Sequence, residues 1–104
     1  DVYINVAGGL SLSEPAADLA VCLAVTSSLL DIALPRDVAV MGEVGLAGEI
    51  RPIPNMQRRL AECRRLGFSR VICPRDRDSK AKDDGLLTIS TVQEAVRWLP
   101  KFTT

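Results

Sequence analysis

Asp18 and Glu43 are the carboxylates that the sequence places best for acid and base work. One stands at the start of an apolar helix and the other in the strand-like segment that follows. A plainer arrangement is favoured over that pairing: Asp18 accepting from backbone N–H groups and Glu43 paired with an arginine. The stretch GEVGLAGEIRPIPNMQRRL, residues 42–60, then sets glycines and acids ahead of a basic helix. A phosphate-binding loop would need GxxxxGK[ST] or GxGxxG between a strand and a helix. GEVGLAG has no lysine, carries an acid where phosphate would approach and runs into another strand, so its glycines read as hairpin punctuation. A Ser-Lys dyad needs a lysine desolvated beside a serine, but Lys80, Lys82 and Lys101 fall in a charged loop or the tail. With no histidine in the chain, a His-dependent triad is excluded and the commonest metal ligand is missing. Cys22, Cys63 and Cys73 sit in apolar runs without CxxC spacing. They read as small buried hydrophobes of a reducing compartment rather than as metal ligands or disulfide partners.

The second chemistry-bearing feature is cationic. Arg51, Arg58, Arg59, Arg64 and Arg65 fall within fifteen residues beside a single acid, Glu62. With aromatic and amide side chains sparse there, such a surface would contact phosphates in a salt-sensitive way without reading bases. The charge is also divided along the chain. Residues 1–50 hold seven acids and one base, net −6, and residues 51–104 hold six acids and twelve bases, net +6. That division fits a nucleic-acid-facing surface or subunits packed head to tail, and a solvated surface fits it equally.

The elements that must position these residues follow from periodicity. At 104 residues, 47% hydrophobic and 4% aromatic, the chain is one domain with an aliphatic core. Val2, Ile4 and Val6 alternate as a strand ended by Gly8 and Gly9. Ser13, Glu14 and Pro15 start a helix predicted from about 14 to 30, apolar nearly all round and therefore covered on most sides. It is too short and too polar to cross a membrane. Val38, Val40, Val44 and Leu46 keep period two as one strand, Ala47-Gly48 turns, and GEIRPI forms a second strand held to an edge by Pro52. The spacing predicts a helix from Asn55, its cap, to about Leu66, ended by Gly67. Met56, Leu60, Cys63 and Leu66 are its buried face, Arg58 and Glu62 an i,i+4 pair, and Gln57 lies with Arg64 at the boundary, where it can face a pocket. VICP is a buried strand, residues 74–85 a charged loop, LLTIS the last strand, and Thr91 with Glu94 a capping box opening a helix with Val92, Ala95, Val96 and Leu99 inward. The class is α/β with a mixed sheet and packed helices.

DVYINVAGG, EPAADLAVCLAVTSSL, LPRDVAVMGEVGLAGEIRPI and RRLAECRRLGFSRVICP together resemble the carboxy-terminal domain of the bacterial RadA/Sms recombination proteins. That domain is similar to the proteolytic domain of Lon, with a fold like ribosomal protein S5 domain 2. The resemblance covers nearly all of residues 1–104 as one Lon-like domain. Lon-type peptidases place a serine nucleophile in GPSAG and a lysine base in GGLKEKL. Laid on this chain, those positions are Ala16 in EPAAD and Gln57 in IPNMQRRL. Alanine has no nucleophile and a glutamine amide takes no proton near neutral pH, so the implied dyad is degenerate. Ser11 and Ser13 lack a base.

The resemblance further implies a noncatalytic domain of an ATP-driven DNA branch-migration protein acting in homologous recombination and repair. It would help assemble a hexameric ring and offer DNA the surface of Arg51, Arg58, Arg59, Arg64 and Arg65. DNA and further copies of the chain are the implied partners, RecA an additional one, with no membrane and a cytoplasmic setting. No cofactor belongs to this domain, whereas ATP, Mg and Zn are implied for a parent protein with a zinc-binding segment and a RecA-like ATPase bearing Walker and KNRFG motifs. The chain begins in strand-like sequence without an initiator Met, as expected of a partial domain cut from a longer protein. The rival readings are a Lon-like Ser-Lys peptidase or its peptide-binding relic, and a purely structural oligomerisation domain.

Overall fold

Val38, Ala39 and Val40 are apolar in succession, the pattern of a parallel strand covered on both faces rather than a half-buried one. The structure, a computed structural model, describes residues 15–75 and 85–103. A 3-10 turn at Pro15–Ala17 leads into α1 (Asp18–Leu29), followed by β1 (Val38–Val40), β2 (Glu43–Val44), β3 (Ile50–Arg51) and α2 (Met56–Arg65). Then come β4 (Arg70–Pro74), β5 (Leu86–Ile89), α3 (Val92–Trp98) and a closing 3-10 turn at Leu99–Thr103. The strand expected over Val2–Val6, the start at Ser13-Glu14, Ser11 and the greater part of the charged loop, with Lys80 and Lys82, lie outside the described residues.

The strands order as β1-β4-β5, all parallel, with Val38 opposite Arg70 and Val71 opposite Leu86. The pair β2 and β3 is a separate antiparallel hairpin, Glu43 opposite Arg51 and Val44 opposite Ile50. Among the described residues the expected single mixed sheet is thus a parallel sheet and a hairpin. The expected continuous strand from Val38 to Leu46 is likewise two. The break is at Gly42, whose N–H donates to the Ala16 carbonyl (2.8 Å) and whose carbonyl accepts from Leu19 N–H (3.0 Å). With its backbone groups engaged at the head of α1, the chain leaves the sheet there. Leu46 ends at the hairpin tip, fully exposed, instead of continuing an inward alternation.

Period two still organises the core, one face at a time. Val38, Val40 and Ile72 pack with Leu19, Leu23, Ala95 and Leu99, whereas Ala39, Val71 and Cys73 pack with Ala16, Leu60 and Cys63. The sheet is therefore the middle of three layers, α1 and α3 on one face and α2 on the other. The expected cover over α1 is incomplete: Leu19, Leu23 and Ala24 are buried, but Val21, Val25 and Leu29 are exposed on the outer flank. The helix rests against α3 and the hairpin, and no described element reaches over that flank.

Each end of α2 has its own cause. Asn55 does not cap through its side chain as expected; it takes a left-handed conformation (φ 58°) and its carbonyl accepts from Arg59 N–H at 3.0 Å. At the far end Gly67 (φ 96°) gives its N–H to Arg64, and Phe68 N–H reaches back to Cys63, each at 3.0 Å. That reversal brings Phe68 against the core and leaves Leu66, expected inside, half exposed. The start of α3 is as the sequence implies. Thr91 Oγ1 accepts from Glu94 N–H (3.2 Å), and Glu94 Oε1 accepts from Ser90 N–H (3.3 Å), one residue ahead of the reciprocal bond of a capping box.

Candidate nucleic-acid interface and the surroundings of Ala16 and Gln57

The carboxylates singled out by sequence make different contacts. Asp18 Oδ2 accepts from Val44 N–H at 3.2 Å, tying the head of α1 to β2. This is a backbone bond of the plainer kind, though its donor belongs to the hairpin and not to the helix itself. Glu43 lies opposite Arg51 in the hairpin register, but Arg51 Nη2 donates to Glu49 Oε1 at 3.2 Å. Glu49 also accepts from Ala47 N–H (3.2 Å), and bonds from its own backbone N–H and from Arg51 hold its carboxyl below the usual range.

Ala16 is 3% exposed, inside the cluster closed by Leu60 and Cys63 with Met56 against it. Gln57 is exposed on α2, one residue beyond Met56. Helix geometry puts it 100° from Met56 around the axis, enough to move from core to solvent. Burial pushes the Cys63 thiol up, with Glu62 a lesser cause, in keeping with an inert core residue. Among the described residues no group of three or more histidine, cysteine, aspartate or glutamate side chains could hold a metal ion, and no helix is long and apolar enough to cross a membrane.

The arginines divide by partner. Arg58, Arg64 and Arg65 are exposed on α2, and Arg59, half-buried, donates from Nε to the Pro54 carbonyl at 3.0 Å. Arg51 is exposed on β3, a different element. The expected Arg58–Glu62 pair is not formed: Glu62 is held by Arg65 at i,i+3, with Arg65 Nε donating to Oε2 at 2.9 Å and Nη2 to Oε1. This bidentate pair lowers the Glu62 carboxyl first through hydrogen bonding and then through charge. Arg58 makes no hydrogen bond or ion pair among the described residues, although its charge reaches Glu62. Arg64 and Arg65 occupy the last turn of α2, where cations complement the helix dipole.

A tighter polar cluster escaped the sequence reading. Asp37, just ahead of β1, accepts Arg70 Nε at 2.9 Å on Oδ2, Arg70 Nη2 at 3.0 Å on Oδ1 and Ser69 Oγ at 2.5 Å on Oδ2. Arg70 and then Ser69 hold its carboxyl far below the usual aspartate range. The signal was an acid and an arginine 33 residues apart at the openings of two strands, which is legible only once β1 and β4 are known to pair in parallel.

The profile of the Lon protease (S16) C-terminal proteolytic domain matches residues 1–92. The chain belongs to that family. Within it, the chain is a Lon-like domain of the RadA type. It is 51% identical over 87 residues to DNA repair protein RadA of Salmonella typhimurium and 50% identical over 86 residues to that of Escherichia coli, covering 84% and 83% of this chain and 19% of each relative. Over 99 residues it is 43% identical to DNA repair protein RadA of Aquifex aeolicus, 95% of this chain and 22% of the relative. The chain thus spans about a fifth of the length of these relatives.

Proposed function

We propose that this Lon-like domain is a noncatalytic part of a RadA/Sms-type protein that uses ATP to drive DNA branch migration in homologous recombination and repair. In this reading it shares the S5 domain 2-like fold of the Lon peptidase domain. It contributes to ring assembly and meets DNA phosphates through Arg51, Arg58, Arg59, Arg64 and Arg65. ATP, Mg and Zn belong to other parts of the parent, further copies of the chain and RecA are its protein partners, and the setting is the cytoplasm. What carries the reading is the combination at one site: a Lon-family domain with alanine at the nucleophile position, sealed in the core, beside a helix whose outer surface is arginine-rich. The likeness to DNA repair proteins supports the choice of DNA as the partner of that surface.

Fluorescence-polarisation titration of labelled single-stranded DNA with the full-length parent tests this. Replacing Arg58 and Arg65 with Ala together is expected to weaken binding uniformly across sequences and to flatten the dependence of log affinity on log salt, each lost phosphate contact removing about 0.7 of slope. Unchanged affinity and slope would remove the DNA surface from the reading. For the former dyad, Ala16→Ser with Gln57→Lys is expected to show no labelling by a serine-reactive probe, since residue 16 is sealed by the core. Labelling would mean that the cleft is open and the peptidase ancestry still functional.

A further inference from the structure

The outer surface of α2 is not simply basic. Arg58, Glu62 and Arg65 are separated by four and three residues, so they fall on one stripe of the helix. Along it the charges run positive, negative, positive. The carboxylate is the middle member, bound to Arg65 by two parallel hydrogen bonds and within electrostatic reach of Arg58. A phosphate approaching the stripe therefore meets two unlike arginines. Arg58 presents its guanidinium without an ion-pair partner among the described residues, whereas Arg65 has its donor fork already occupied by a carboxylate.

We propose that Glu62 is an intramolecular attenuator of phosphate binding by α2. It occupies Arg65, repels the incoming backbone and leaves Arg58 as the principal contact of the stripe. The inference rests on the DNA-binding reading above and adds to it an internal competitor. Its physical basis is exchange: a phosphate reaching Arg65 must displace a carboxylate that makes the same bidentate bonds, and Glu62 is then left negative beside a polyanion. Because the pair is exposed, the displacement is modest, of the order of a surface ion pair. The device would hold affinity down, suiting a surface that must release and re-engage a strand.

Glu62→Gln keeps side-chain size and helix propensity, so folding is expected to survive, and thermal melting checks it. In the full-length parent, the expected result is roughly two- to five-fold tighter binding of a labelled single-stranded oligonucleotide and a salt slope steeper by about 0.7. Arg65→Ala should then weaken binding more in the Glu62→Gln background than in the wild-type background, the sign of a competitor removed. Equal or weaker binding by Glu62→Gln, or additive effects of the two substitutions, would overturn the inference. A variant with Arg51, Arg58, Arg59, Arg64 and Arg65 all replaced by Ala separates the two failures. If it loses affinity while Glu62→Gln changes nothing, only the attenuator fails; if it binds like the wild type, the DNA surface fails and the attenuator with it.

Discussion

Asp37 shows how a single side chain can matter more than its sequence context suggests. Three donors from Arg70 and Ser69 favour its ionised form, so the folded chain holds this carboxyl well below the ordinary 3.8 while the unfolded chain does not. The sign follows from proton uptake. At low pH the unfolded state binds the extra proton, so the stabilisation is present above the unfolded value and fades as pH falls toward the folded one. Asp37→Asn is therefore expected to melt below the wild type at pH 7, with the difference constant down to about pH 5 and narrowing below about pH 4. A gap independent of pH would mean that the charge of Asp37 is not what counts. None of this was legible from residue types, because Asp37 and Arg70 become neighbours only through strand pairing. The helix-start acid Asp18, by contrast, was read correctly as a backbone-bonded carboxylate, and only its donor, Val44, needed the fold.

At the scale of elements, the turns separate two kinds of constraint. Gly67 and Gly85 both have left-handed backbones, φ 96° and 95°, but a Cβ at 67 would meet nothing within 4 Å, whereas one at 85 would lie 2.3 Å from the Ser69 carbonyl oxygen. Gly67→Ala should cost about 1 kcal/mol, the conformational term alone. Gly85→Ala must also displace the backbone where β4 meets β5, and is expected to cost at least twice as much, as urea unfolding of the two variants would show. Thr91→Ala removes the acceptor for Glu94 N–H and should cost about 1 kcal/mol. The end of α2 at Gly67, the opening of α3 at Thr91 and the last two strands were legible because caps, glycines and apolar period act locally. The split of Val38–Leu46 into two strands was not, since it depends on bonds from Gly42 to residues more than 20 positions earlier.

For the whole molecule, burial rather than hydrophobicity decides which apolar residues stabilise it. Leu19 is fully buried and Leu46 fully exposed. Leu19→Ala is expected to cost roughly 2–5 kcal/mol and Leu46→Ser less than about 0.5 kcal/mol, measured as unfolding free energies. The α/β class was readable from pattern, while the parallel order β1-β4-β5 and the exposure of Val21, Val25 and Leu29 on α1 were not, because no local signal specifies which strands meet. The hairpin carries a further consequence. Its residues are fastened to both halves of the chain: Gly42 to Ala16 and Leu19, Gly48 to Val92 through a 2.9 Å bond, and Ile50 to Ser90 at 2.8 Å. Emerging from a ribosome, the hairpin has its first anchors at once but waits some 40 residues for the others. The hairpin's native contacts are thus completed only when the opening of α3 has cleared the exit tunnel, and nascent chains stalled before Ser90 should remain protease-sensitive at β2–β3.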